Sequence, residues 1–226
     1  MVHNNKSFKI AHYLASSGLC SRREGERLIQ SKKIGINGTI IDHPAHRVTI
    51  LDHITHDGVK VELINNAKLY GYYKPAKVMV TRALDEGVTV FDLLEPILGR
   101  LLSVGRLDYY SEGLLLLTNS NNLCSSLMHS DLPRVYEVFV QDRWRDIMSD
   151  FVQKPFTIDG VEYKPWQLLK CSHVGNGSWI RIKLMEGKNR EIRRVCSFFN
   201  LYIKRLIRTE YGPYKLKGDA GRWWNA

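Results

Sequence analysis

The stretch VGRLDYYSEGLLLLTN, Val104 to Asn119, sets one carboxylate, Asp108, two residues after Arg106 and ahead of the apolar run Leu114 to Leu117. A carboxylate is a competent nucleophile when it is held ionised and positioned away from bulk water. Gly105 and Gly113 bracket a loop, and most loop acids cap a turn or accept turn amides. The apolar run, however, must be buried. It anchors this loop to a rigid strand and gives the acid a fixed place. Partly desolvated there, Asp108 needs a cation to stay charged. Arg106 is near in sequence, but its spacing does not force a contact. A second source is MEGKNREIRR, Met185 to Arg194. Ile192, Val195, Cys196 and Phe199 fall on one helical face, and Asn189 is the expected N-cap. Lys188, Arg190, Arg193 and Arg194 lie off that face or on its border. Such a cluster at a helix start suits a phosphate, and one member can turn inward to an acid; the plainer alternative is a set of surface charges. Tyr136 alternates with Val138 and Val140 along a strand, with Arg134 just ahead. It is either a core tyrosine or a platform for a base.

The totals favour a polyanionic partner. The 226 residues carry 33 Lys and Arg against 23 Asp and Glu, a net charge of +10. Between Arg181 and Lys217 alone there are 11 basic and 3 acidic residues. That concentration points to nucleic acid, or to an anionic membrane surface, over a small neutral substrate. With 44% hydrophobic and 25% charged residues, a real core is expected. The longest apolar run is about five residues, far short of the ~20 that span a bilayer. The first residues show no long apolar core followed by a small-residue cleavage site, so no secretion signal is expected. Cys20, Cys124, Cys171 and Cys196 are scattered without a CxxC, which reads as mostly buried, reduced thiols in a cytoplasmic protein and not as a metal site.

The elements that must position these residues form two groups. Residues 1–64 read as a small module. Apolar spacing predicts a helix over Phe8 to Ala15, stopped by Ser17-Gly18. Ser21 with Glu24 fits a capping box for a helix to about Ser31, and Asn37-Gly38 fits a hairpin turn. Short strands are expected at Val48 to Ile50 and Val59 to Val61. Arg22, Arg23, Lys32 and Lys33 bracket the second helix. They fit either an ordinary basic helix or one that tracks phosphates. Residues 65–68 read as a linker. In residues 69–226 strands are expected at Leu69 to Tyr73, Val78 to Thr81, Leu114 to Thr118, Val135 to Val140, Trp179 to Leu184 and Ile203 to Arg208. Helices are expected at Val90 to Leu98, Asn121 to His129, Arg143 to Phe151 and Arg190 to Phe199. Strands and helices without regular alternation predict an α+β fold.

Taken together, Gly105-Arg106-Leu107-Asp108 with Ser111-Glu112-Gly113-Leu114 resembles the signature of RNA pseudouridine synthases, and within them the ribosomal RsuA/RluB family. Lys74-Pro75 with Val80-Thr81 resembles that family's first motif. Arg134-Val135-Tyr136-Glu137-Val138 resembles its tyrosine motif, and Glu186 to Arg194 its basic motif. Leu206-Ile207-Arg208 with Tyr211-Gly212-Pro213 follows as in the family. Ser21-Arg22-Arg23 and Ile36-Asn37-Gly38 resemble the alpha-L RNA-binding domain that precedes the catalytic domain there.

The resemblance implies a mainly antiparallel mixed sheet in the catalytic domain. It implies isomerisation of a uridine in ribosomal RNA, in the large-subunit 23S in preference to the small-subunit 16S, with no cofactor and no metal. Asp108 would be the nucleophile, Tyr136 would stack on the flipped base, and Arg193 would keep Asp108 charged, with Lys188 the second choice for that partner. Arg106, Lys188, Arg190, Arg194, Lys74, Arg22, Arg23 and Lys33 would contact RNA. The partner would be rRNA or an assembling ribosomal subunit, with no membrane, and the protein a monomer. Lys77 departs from the family glycine two residues after Pro75, and Ser130 from the proline after His129. Two other readings are a non-catalytic RNA-binding assembly factor and a metal nuclease. The latter would want several converging carboxylates, and Asp108 and Glu112 are the nearby pair.

Overall fold

The computed structural model describes residues 7–82 and 87–226. They form two compact units: residues 7–68 with 119–123, and residues 69–118 with 124–226.

In the first unit the helices Ile10–Ser16 and Arg22–Gln30 pack beside a four-stranded antiparallel sheet. Its strand order is Thr39–Ile41, Ile34–Ile36, Ile54–His56, Val59–Lys60. Ile10, Leu14, Ile29, Ile34, Val48 and Ile54 form the core, each at most 1% exposed. Asn37 and Gly38 both adopt positive φ (50° and 85°), the geometry a two-residue primed turn demands. Ser21 caps its helix by accepting the Glu24 amide at 3.1 Å. The return half of the expected capping box is not made: Glu24 instead pairs with Arg27. A reciprocal box forms elsewhere, between Thr89 and Asp92 at the start of Val90–Leu98. The short strand Phe8–Lys9, paired with Arg47–Val48, was not expected, and neither was Ile54–His56.

The second unit is built on a nine-stranded sheet. Its main path runs Gln167–Val174, Gly177–Leu184, Arg134–Val140, Ile203–Tyr211, Glu112–Thr118, Leu69–Lys74, Trp223–Asn225. All neighbours on this path are antiparallel except one pair: Glu112–Thr118 runs parallel to Ile203–Tyr211, with Arg208 opposite Gly113. The expected α+β class with a mainly antiparallel mixed sheet therefore holds. The parallel junction divides two apolar clusters. On one side Val138, Ile180 and Ile182 meet Val195 and Cys196 of the Glu191–Phe198 helix. On the other, Leu115 and Leu117 meet Tyr72, Val90 and Leu94. Tyr136 packs partly against both.

Two close approaches fix this sheet. Gly113 has φ +103°, and a Cβ there would sit 2.3 Å from the Arg208 carbonyl oxygen, so only glycine fits where the parallel strands meet. A Cβ on Gly71 would fall on the Trp224 indole, which seats the C-terminal edge strand. The expected strand over Val78 to Thr81 does not form; Met79 makes one isolated bridge with Thr89. The helix expected from Arg143 starts at Asp146. Among the described residues no helix is long and apolar enough to cross a membrane. Cys20, Cys124 and Cys196 are buried free thiols, and Cys171 is exposed.

Candidate active site

Asp108 lies in the loop that leads into Glu112–Thr118, whose Leu114 to Leu117 are all fully buried. The loop is pinned at both ends. The Val104 amide donates to the Leu116 carbonyl at 2.9 Å, and the Ser111 amide to the Asp108 carbonyl at 3.0 Å. Leu107 is buried beneath it, so the neighbouring carboxylate is aimed by packing and not left to wander. Its side chain is one-third exposed.

The cations come from the distant basic segment. Arg193 Nε donates to Asp108 Oδ2 at 3.3 Å, and its Nη2 donates to Ser111 Oγ at 3.0 Å. Arg190 Nη1 lies 3.6 Å from the same carboxylate oxygen. Arg193 is mostly buried, whereas Arg190 is exposed. The Glu191–Phe198 helix positions both. Its apolar face is Ile192, Val195 and Cys196, which turns Arg193 toward the Asp108 loop. The expected Asn189 cap is replaced by Arg190 in a left-handed conformation (φ 52°), with no side-chain cap. Glu191 does the stabilising instead: it accepts the Lys188 amide at 3.0 Å and the Trp166 indole N–H at 2.9 Å. Burial raises its pKa, against those two hydrogen bonds, which lower it.

Beside Asp108 opens a cavity of about 230 Å³ whose wall includes Tyr136, Arg134, Leu206, Arg208 and Tyr211. That is well above the roughly 10–15 Å³ a single water needs. A second hollow of about 420 Å³ shares Arg106 and Asp108 with the first and is lined by residues 79–81 and 187–190. Asp108, Tyr136 and Arg193, three segments of the chain, thus meet at one cavity. Arg106 is exposed and lines both hollows. Arg194 is exposed one position beyond Arg193.

Two expectations need correction. Lys74, taken as an RNA contact, is fully buried, and its ammonium donates to the carbonyls of Pro75 (2.7 Å) and Val78 (2.8 Å). Burial pulls its pKa down to about 8, opposed by the charges of Glu112 and Asp108. It closes a turn instead of facing solvent. Lys77 sits in that turn at φ 65°, a conformation glycine takes without strain, and its amide grips the Tyr109 carbonyl at 2.7 Å. Lys188, second choice as the Asp108 partner, faces away: its ammonium reaches the Glu162 carbonyl and lies 3.2 Å from Glu186. Arg190 takes that second place. Glu112, the other acid of the loop, is held by Arg205 at 3.0 and 2.8 Å. Among the described residues no cluster of three or more His, Cys, Asp or Glu is arranged to hold a metal ion.

Sequence reasoning missed Ser111, Glu191 and Arg208. Ser111 stood three residues from Asp108, a usable signal. Nothing in the order of residues showed that Glu191 and Arg208 would be buried. In the first unit Arg22, Arg23 and Lys33 are exposed, and Arg22 Nη2 lies 2.7 Å from His12 Nδ1. Burial, then the Arg22 charge, lowers the His12 pKa.

The family model described as RNA pseudouridylate synthase matches residues 68–198, and the S4 domain model matches residues 9–54. The chain belongs to the RNA pseudouridylate synthase family. It is an RNA pseudouridine synthase, an isomerase, with an N-terminal S4 domain. It is 36% identical over 213 residues to an uncharacterized RNA pseudouridine synthase of Rickettsia typhi, covering 92% of this chain and 87% of that one. It is 35% identical to the ribosomal large subunit pseudouridine synthase B of Haemophilus influenzae, covering 95% of the synthase and 63% of that relative. A crystal structure of a pseudouridylate synthase shares the fold, with a TM-score of 0.68 at 19% identity over 97% of this chain and 96% of that one.

Proposed function

We propose that the synthase converts a specific uridine of large-subunit (23S) ribosomal RNA to pseudouridine, with Asp108 as nucleophile. The observation that carries this reading is the Asp108 carboxylate held at 3.3 Å by Arg193 at the mouth of a cavity that Tyr136 also lines. The assignment to the large subunit draws on the Haemophilus influenzae relative named for that subunit.

Exchanging an N–C glycosidic bond for a C–C bond consumes no electrons. Asp108 attacks ribose C1′, or pyrimidine C6, and the N1–C1′ bond breaks. The uracil turns within the cavity and C5 bonds to C1′ as the bond to Asp108 breaks and its carboxylate is regenerated; the C5 proton leaves and N1 takes up a proton, so the product is an isomer of the substrate. Arg193 pairs with the attacking oxygen and, with Ser111, orients it. Tyr136 stacks on the extruded base and takes the C5 proton. Extrusion costs a few kcal/mol, and stacking returns about 1–3 kcal/mol. Arg106 and Arg194 hold the flanking backbone, and Arg22, Arg23 and Lys33 of the S4 domain hold more of the RNA. The protein acts in the cytoplasm as a monomer, on rRNA or an assembling subunit.

Mapping pseudouridines in rRNA from cells with and without this protein tests the reading. One large-subunit site that disappears and returns with the wild-type gene supports it. A change confined to small-subunit or transfer RNA overturns it.

A further inference from the structure

The cavity holds a cation that the scheme above does not use. Arg208 is 4% exposed and forms part of the wall of the Asp108 cavity. Strand register places it opposite Tyr136 on one side and Gly113 on the other, so it stands at the junction where the site is built. Its Nε donates to the Leu114 carbonyl at 2.8 Å, and its guanidinium carbon lies 5.3 Å from the Tyr211 ring centroid. Its Nη2 is buried and has no hydrogen-bond partner among the described residues. A buried charged donor without an acceptor is costly, and proteins rarely keep one. Arg208 belongs to the cavity wall, so a ligand seated there can bring an acceptor that a small shift of the guanidinium would meet.

We infer that Arg208 donates a hydrogen bond to a carbonyl oxygen of the target uracil and stabilises the charge that collects there during the reaction. The inference rests on the uridine reading of this cavity. When N1–C1′ breaks, its electron pair leaves with the uracil and spreads over N1 and the two carbonyl oxygens; the Asp108 oxygen bonds to C1′. Attack at C6 instead pushes the C5–C6 pair toward C5 and the O4 carbonyl. Either route places negative charge on a carbonyl oxygen. A guanidinium with a spare donor in the cavity wall offsets it after only a small shift of the side chain. One hydrogen bond, to the Leu114 carbonyl, and the Tyr211 ring face hold the guanidinium in place.

The test pairs a protein change with a substrate change. Single-turnover pseudouridine formation is measured for wild type, Arg208→Met and Arg208→Lys on an rRNA fragment. The mapped target is uridine, 2-thiouridine or 4-thiouridine, since sulfur is the weaker acceptor. Loss of one such donor slows the chemical step by about 10²–10³-fold, by analogy with other anion-stabilising donors, while the RNA Kd stays within twofold. Sulfur at one of the two positions slows wild type severalfold more than it slows Arg208→Met. Arg208→Lys, which keeps a cation, lies between, and its comparison with wild type stands alone if the methionine variant does not fold. Equal sulfur effects in wild type and variants at both positions overturn the assignment. So does an Arg208→Met rate within twofold of wild type. Wild type that isomerises no uridine in any rRNA fragment overturns the uridine reading itself, a result separate from failure of the Arg208 assignment alone.

Discussion

Gly113→Ala is the most telling structural perturbation. The added Cβ would sit 2.3 Å from the Arg208 carbonyl oxygen and 2.7 Å from the Arg208 nitrogen, both rigid backbone atoms of a central strand. No rotamer relieves this, so the parallel strands must part by about an ångström to reach the 3.5–4.0 Å of ordinary contact. The residue must also keep φ +103°. Strained backbone costs roughly 1–3 kcal/mol, and overpacking a further 1–3 kcal/mol. A loss of about 2–6 kcal/mol lowers the melting point of the catalytic unit by roughly 5–20 °C. The displacement falls between the strand that carries the Asp108 loop and the strand that carries Arg208. A 1 Å misplacement costs up to about 10²-fold in rate. Thermal melting of the full chain, with pseudouridine formation at saturating RNA below the variant's melting point, reads both effects. A variant that melts and turns over like wild type would refute the claim that this junction positions the site.

Other outcomes follow from individual contacts. Arg193→Met should slow the chemical step by at least tenfold with RNA affinity little changed, because Arg190, at 3.6 Å and exposed, is a weaker partner; equal kcat in single-turnover assays would contradict it. Lys74 has a folded-state pKa lowered to about 8 from 10.5. The unfolded chain therefore binds more protons in that window, and stability should rise as pH climbs from about 8 toward 10.5, a rise absent in Lys74→Met by urea denaturation. Gly71→Ala should unseat the Trp223–Asn225 strand, seen as a red shift of tryptophan emission. RNA affinity should fall steeply with salt. Lys183, Arg194, Lys204, Lys215 and Lys217 have no ion-pair partner among the described residues. If each neutralised a phosphate of single-stranded RNA, the log–log slope from that segment would be about −3.5. A flat titration would show that the segment does not touch the backbone.

The parts of this molecule legible in sequence are those with strong local patterns. Asn37-Gly38 specified its hairpin, and the four leucines specified a buried strand. The helical spacing of Ile192, Val195 and Cys196 showed which face Arg193 would border. The Gln167–Val174 strand stayed hidden because it is an edge strand, mostly exposed, with no alternating apolar residues. Val78 and Val80 are both buried and mimic a strand, yet Pro75 and the left-handed Lys77 turn the chain away from the ladder. Counting charge misled in one respect. Of the basic residues between Arg181 and Lys217, Arg181, Lys188, Arg190, Arg193 and Arg205 form ion pairs and Arg208 is buried, so less of the surplus faces outward than the sum suggests. Lys74 shows the same limit: residue type predicts a solvated ammonium, and only tertiary packing reveals two carbonyls holding it inside.

The nucleophilic role of Asp108 is tested most directly by Asp108→Asn, which keeps the side chain's size and removes its charge. With the mapped rRNA fragment in hand, RNA binding and pseudouridine yield are measured for wild type and variant. Yield should fall below detection while the Kd changes by less than about threefold, a difference under 1 kcal/mol. Pseudouridine formed by the variant at more than a few per cent of the wild-type rate would show that another group carries out the attack.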